Sequence, residues 1–166
     1  TACIAVEALG RKNVYGVLMP SRFSSAHSIS DAEALAGNLG IDFRKIPINS
    51  IIESFEALMI SDLDKNNIGL AEENIQSRIR GNILMALSNK YDWLVLSTGN
   101  KTELAMGYCT LYGDMNGGLS VISDLSKEDV YKISKWINNS SDQNIIPENS
   151  ITKAPSAELR PDQVDP

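Results

Sequence analysis

At 166 residues, 43% hydrophobic and 22% charged, the chain has the size and balance of one globular folding unit, able to bury roughly two thirds of its unfolded surface. It carries no apolar run near the length of a membrane span, so a spanning helix is not expected. A formal net charge of −6 argues against a surface for nucleic acid, whose affinity rests mainly on Lys and Arg, but leaves room for a local basic pocket for a small anion.

Residues 1–10 (TACIAVEALG) read as a helix ended by Gly10, with no initiator, cap or signal-peptide architecture. Residues 13–19 (NVYGVLM) predict a strand stopped by Pro20, followed by a hydroxyl-rich loop over 21–27 with a single Arg. Ser30 and Glu33 form a capping box, predicting a helix to about Gly40. Residues 41–48 predict a second strand. Asn49 or Ser50, with Glu53 after it, predicts a capped helix to about Leu63, and 64–69 a polar loop. A long helix follows over 70–88, with Ile75, Ile79, Ile83 and Leu87 four apart as an apolar stripe. Asn74 and Arg78 share a neighbouring face with Gly81 and Met85.

The stretch 92–118 (DWLVLSTGNKTELAMGYCTLYGDMNGG) is the most informative. Residues 93–96 are a short continuous apolar run, as in a strand buried on both faces. The run breaks at Ser97, Thr98, Gly99 and Asn100, and a helix carrying Glu103 follows. In an open parallel sheet, ligands bind at the carboxyl ends of the strands. Thr98 at that rim and Glu103 in the next helical turn suit a phosphate with Mg²⁺, a cation that takes one or two carboxylates plus phosphate oxygens. Equally, Thr98 could merely end the strand and Glu103 complement the helix dipole. Ser126, Lys127, Glu128 and Asp129 then open a helix through Trp136 and Ile137, ending over 138–141.

This alternation of strands and helices predicts a three-layer α/β/α domain with a parallel sheet. Cys3 and Cys109 show no metal-ligand spacing and read as buried free thiols in a reducing, cytoplasmic compartment. His27 is the single histidine, so a Ser–His or Cys–His nucleophile is not expected.

Four strings are more specific than periodicity: LSTGNKTELAMGYCTLYGDMNGG, AEENIQSRIRGNILMALSNK, MPSRFSSAHSISDAE and KAPSAELRPDQ. Together, in this order and over nearly the whole chain, they resemble the NAD synthetases, most closely the glutamine-dependent branch. The resemblance implies an adenine nucleotide alpha hydrolase-like domain of the ATP-pyrophosphatase type. It implies adenylation of deamido-NAD by ATP with Mg²⁺, release of pyrophosphate, and displacement of AMP by ammonia or glutamine-derived ammonia. A homo-oligomer is implied as well, with no nucleic-acid or membrane partner. The family's phosphate loop and closing segment fall outside these residues, so the chain reads as an internal piece of a larger enzyme, inactive alone. Whether a glutaminase domain is fused stays open. Another ATP-pyrophosphatase amidotransferase, or a non-catalytic nucleotide-binding fragment, is the alternative.

Carried over by the resemblance, Thr98, Lys127, Ser156 and the main chain at Met19 would contact ATP. Glu103 would hold Mg²⁺ or border deamido-NAD, and Asn74, Arg78 and Tyr108 would contact deamido-NAD. Lys127 and Glu103 would be the catalytic pair. Ser24 and Ser25 are weaker candidates for the nucleotide, and Tyr112 and Asp114 lie in the same core string. Each has a plainer reading. Ser156 could cap a short helix, Asn74 and Arg78 could pair with Glu72 or Glu73, and the tyrosines could simply pack.

Overall fold

The computed structural model describes residues 1–63, 68–161 and 163–165. In chain order the elements are α1 (Ala2–Leu9), a 3-10 turn (Arg11–Asn13), β1 (Tyr15–Leu18), α2 (Ala26–Leu39), β2 (Asp42–Lys45) and α3 (Asn49–Leu58). There follow α4 (Leu70–Tyr91), β3 (Leu96–Ser97), α5 (Lys101–Met106), β4 (Leu119–Ser120), α6 (Lys127–Asn139) and α7 (Glu148–Thr152). Strands β1 and β2 pair in parallel, with Tyr15 opposite Asp42, and β3 pairs in parallel with β4, with Leu96 opposite Leu119. The α/β class with parallel pairing is the one expected. Among the described residues, no helix is long and apolar enough to cross a membrane.

Element boundaries show where tertiary forces override local signals. Helix α2 starts at Ala26, ahead of the expected capping box. Ser25 is its N-cap, accepting from the Ser28 N–H at 3.3 Å. Glu33 is thereby free of capping and pairs instead with Lys45 on β2. Helix α3 has Ile48 at its N-cap position and no side-chain cap, in place of the expected Asn49 or Ser50, and stops at Leu58 rather than Leu63. Burying an Ile side chain contributes about 1.5–3 kcal/mol against about 1 kcal/mol for a cap, and Ile48 is fully buried. The polar loop expected over 64–69 lies largely outside the described residues.

The core sits between α3, α4 and the end of β1. Ile48, Ile52 and Ile79 are buried together, with Met19, Ile75 and Ile83 packed against them. The apolar stripe of the long helix thus faces the chain's own interior, and the helix runs to Tyr91, a turn beyond its predicted end.

The run at 93–96 differs most from expectation. Asp92 closes α4 in the left-handed region at φ 55°, and the Trp93 ring stacks on Tyr15 at 4.1 Å and on Tyr91 at 4.6 Å. Leu94 is 66% exposed, so the strand is not buried on both faces and its assigned part is only Leu96–Ser97. Strands β1 and β3 are not paired with each other. Between them, under α1 and α4, lies a largely apolar cavity of about 600 Å³.

Candidate functional site

The geometry of the site begins where β3 ends. Thr98 is exposed there and lines the cavity. Two residues on, Asn100 caps α5: its Oδ1 accepts from the Glu103 N–H, and Glu103 Oε2 accepts from the Asn100 N–H, each at 3.0 Å. The first turns of α5 and α6 are joined by main-chain donors. Lys101 N–H reaches Leu125 O at 2.8 Å, and Lys127 N–H reaches Thr102 Oγ1 at 3.0 Å. Thr98, Glu103 and Lys127 therefore ride on one strand-to-helix turn and on the helix stitched to it. Ser126 caps α6 through the Asp129 N–H, and Glu128 and Asp129 both pair with Lys132. Among the described residues Lys127 has no carboxylate partner. A lysine in a first helical turn is mildly unfavourable beside the helix dipole, and an incoming anion would relieve that.

The second component is the contact between α4 and the loop after α5. Asp114 accepts from the Thr110 N–H at 3.0 Å and from Ser77 Oγ at 2.9 Å, while Ser77 Oγ accepts from the Asp114 N–H. Thr110 Oγ1 donates to Asn74 Oδ1 at 2.8 Å, and Arg78 Nε donates to Leu111 O at 3.2 Å. This packing needs glycine on both sides. A Cβ at Gly81 would lie 2.8 Å from Gly113 O, and one at Gly113 would lie 2.9 Å from Ser77 Cβ. Gly117, at φ +146°, lets the chain pass between Val95 O and Ser97 N.

The third component is the segment after α7. Its described residues form no regular structure and are held by side chains. Tyr108 Oη donates to Asp165 Oδ1 at 2.6 Å and accepts from Gln163 Nε2 at 2.7 Å. Burial, then Asp165, pushes the phenol up to about 12. Gln76, itself 2% exposed, donates to Leu159 O at 2.7 Å, and Arg160 pairs with Glu73 at 2.9 Å. The Glu158 carboxylate accepts from the Ser25 N–H, Ser25 Oγ, Ser28 Oγ and Lys153 Nζ at 3.0, 2.6, 2.8 and 2.6 Å. Burial works against its charge, but these donors outweigh that and hold the group down at about 2.

The predicted residues fall into two sets. Met19 and Thr98 line the cavity; Glu103 and Lys127 occupy the neighbouring helix starts. Asn74 and Arg78 hold the 110–114 loop, and the surface pairing with Glu73 is replaced by Arg160. Ser156 caps no helix; its Oγ accepts from the Glu158 N–H at 3.1 Å. The Met19 carbonyl accepts from Arg80 Nε at 3.0 Å. Arg80 lines the cavity with Thr98 and Asp114, and burial lowers its pKa despite the nearby Glu158 charge. Sequence reasoning passed over Arg80 and Lys153, and took Glu158 only as fitting a turn at Ser156. Arg80 stands four residues after Gln76, one helical turn along the buried side, and that spacing was the available signal.

No group of three or more His, Cys, Asp or Glu residues able to hold a metal occurs among the described residues. Glu103 has one oxygen in the capping box, and a single carboxylate of this kind suits a divalent ion only alongside phosphate oxygens.

The NAD synthase family model matches residues 1–166. The glutamine-dependent NAD(+) synthetase of Synechocystis sp. is 57% identical over 164 residues, 99% of this chain and 29% of that protein. The solved structure of glutamine-dependent NAD+ synthetase from Acinetobacter baumannii in complex with ADP superposes with a TM-score of 0.88 at 43% identity, over 95% of this chain and 30% of that one. The NMN synthetase of Francisella tularensis gives 0.86 at 29% identity, over 99% of this chain and 63% of that one. The chain thus spans about 30% of the length of the glutamine-dependent relatives it matches. On the match over all of its residues, this chain belongs to the NAD synthase family.

Proposed function

We propose that this chain is the ATP-pyrophosphatase-type domain of a carbon–nitrogen ligase that converts deamido-NAD to NAD. A carboxylate resists amide formation until one of its oxygens becomes a good leaving group; adenylation by ATP supplies that, and ammonia then displaces AMP. Lys127 faces the departing pyrophosphate with an ammonium that has no carboxylate partner among the described residues. Thr98 offers its hydroxyl at the strand end, and the remaining oxygen of Glu103 is the group that would hold a Mg²⁺ ion accompanying ATP. That ion supplies charge neutralisation on the triphosphate. Arg80, from the cavity wall, adds a second fixed positive charge. Asn74 and Arg78 present the dinucleotide side through the loop they hold. Ammonia enters free or from a glutaminase domain, and the working form is a homo-oligomer in the cytoplasm.

The observation carrying this reading is the join between α5 and α6, which holds the helix starts bearing Glu103 and Lys127 together, next in the chain to the strand end with Thr98. The test is a coupled assay on the intact protein with ATP, Mg²⁺, deamido-NAD and ammonium. Equimolar AMP and NAD are expected, and Lys127→Ala should lower kcat by roughly one to two decades, the value of a charge-assisted contact. Arg78→Ala should raise KM for deamido-NAD more than that for ATP. Preference for the nicotinate mononucleotide, in line with the name of the Francisella protein, would reassign the acceptor. Absence of AMP would end the reading.

A further inference from the structure

We propose that Glu158 is a positioning residue for the nucleotide side of the site, closing the N-terminus of α2 with its own carboxylate and setting Ser156 and the cavity-facing main chain around it. This rests on the ATP-dependent reading above.

Three observations carry it. The first is the donor set. A helix N-terminus flanked by two serine hydroxyls and a lysine is a ready anion site. Here Ser25, Ser28 and Lys153 all donate to Glu158, so the site is filled from within and closed to an incoming phosphate. Without that carboxylate, the start of α2 and Lys153 would compete for the triphosphate with Lys127 and Arg80.

The second is the backbone. Glu158 sits at φ 51°, in the left-handed region that a residue with a Cβ rarely adopts. That conformation turns its side chain back to α2 while its N–H donates to Ser156 Oγ at 3.1 Å. One residue thus fixes both the α2 start and the Ser156 hydroxyl.

The third is the wall. Ala157 and Leu159, on either side of Glu158, line the cavity together with Arg80 and Thr98. Arg80 gives its Nε to Met19 O, and the Glu158 charge is near enough to favour its charged form. Displacing Glu158 should shift this wall first, whereas Asn74 and Arg78 are bonded to the 110–114 loop.

The experiment is calorimetric titration of the intact protein and its Glu158→Gln variant with a non-hydrolysable ATP analogue and, separately, with deamido-NAD. The amide keeps the shape but loses the charge and turns a donor towards the serines. Affinity for the ATP analogue should fall about tenfold, the equivalent of one charge-assisted hydrogen bond, while that for deamido-NAD is unchanged. An unchanged ATP affinity, or an equal loss for both ligands, would overturn the proposal. Wild-type protein that fails to bind the ATP analogue takes down the functional reading and this one with it; wild-type binding with an unaffected variant takes down this one alone. Should circular dichroism show that Glu158→Gln does not fold, Ser28→Ala removes a single donor, and the same asymmetry at about threefold is expected. No asymmetry there counts equally against it.

Discussion

Two irregular segments frame the candidate site, and they are held by opposite means. The loop over 108–118 is fixed by close backbone approach: Gly81 and Gly113 let α4 and the loop meet where a side chain would collide, and Ser77 and Asp114 bond main chain to side chain across the seam. The strap over 153–165 is fixed by ionic and polar side chains, Glu158 on Ser25, Ser28 and Lys153, and Tyr108 on Asp165 and Gln163. The first rests chiefly on volume and the second chiefly on charge. Steric fixing is insensitive to pH but intolerant of one added carbon. Electrostatic fixing tolerates small changes in shape but follows the protonation of a few groups.

The largest effect is expected where volume rules. Gly113→Ala places a carbon against Ser77, whose backbone lies in the middle of α4 and cannot withdraw. Overpacking costs about 1–3 kcal/mol, and a rigid neighbour puts this case at the upper end. Chemical denaturation of the intact protein should show that loss, with the same midpoint shift at every pH tested. A shift under 1 kcal/mol, in the range of ordinary surface substitutions, would mean that the seam opens easily and that the contrast between the segments is false.

What the sequence disclosed follows the same division. Helices that depend on their own residues were legible: the stripe of α4, Gly10 and Gly40 as terminators, and the Ser126 cap of α6. Features that depend on distant residues were not. The start of α2 is set at Ser25 with help from Glu158, far along the chain, so the nearer capping box at Ser30 misled. The N-terminus of α3 follows the burial of Ile48 and not the polar residues beside it. The apolar run at 93–96 looked like a strand, but Trp93 is held between Tyr15 and Tyr91, and only Leu96–Ser97 remains in the pair with β4. At the site, motif residues near β3 could be read locally. Arg80 bonds to Met19 and Glu158 to Ser25 and Ser28, partners that no local window contains.

The next effect should appear where charge rules. The Glu158 carboxyl titrates at about 2 in the folded chain against an ordinary 4.5. A depressed carboxylate gives stability that is present above the ordinary value and lost as pH falls through the folded one. Between 4.5 and 2 the strap should therefore loosen at the α2 start, weakening by about 1–3 kcal/mol as its charge-assisted bonds go. Hydrogen exchange read by mass spectrometry should show amides around residues 25–28 and 157–159 losing protection before those of 110–116. Simultaneous loss in both segments would erase the distinction.

The smallest effect concerns Tyr108, which joins the two segments. Its ring lies in the glycine-rich loop while its hydroxyl binds the strap through Asp165 and Gln163. Removing the hydroxyl in Tyr108→Phe leaves Asp165 still bonded to the Ala157 N–H, so the variant should lose only about 1 kcal/mol, the net value of a hydrogen bond. The sign of its pH dependence is opposite to that of Glu158. The phenol is raised from 10.0 to about 12, so its contribution is complete below 10 and vanishes as pH climbs to 12. Unfolding free energies of parent and variant should therefore differ at neutral pH and converge across that alkaline window. A gap that stays constant through it would mean that the ring, and not the hydroxyl, joins the loop to the strap.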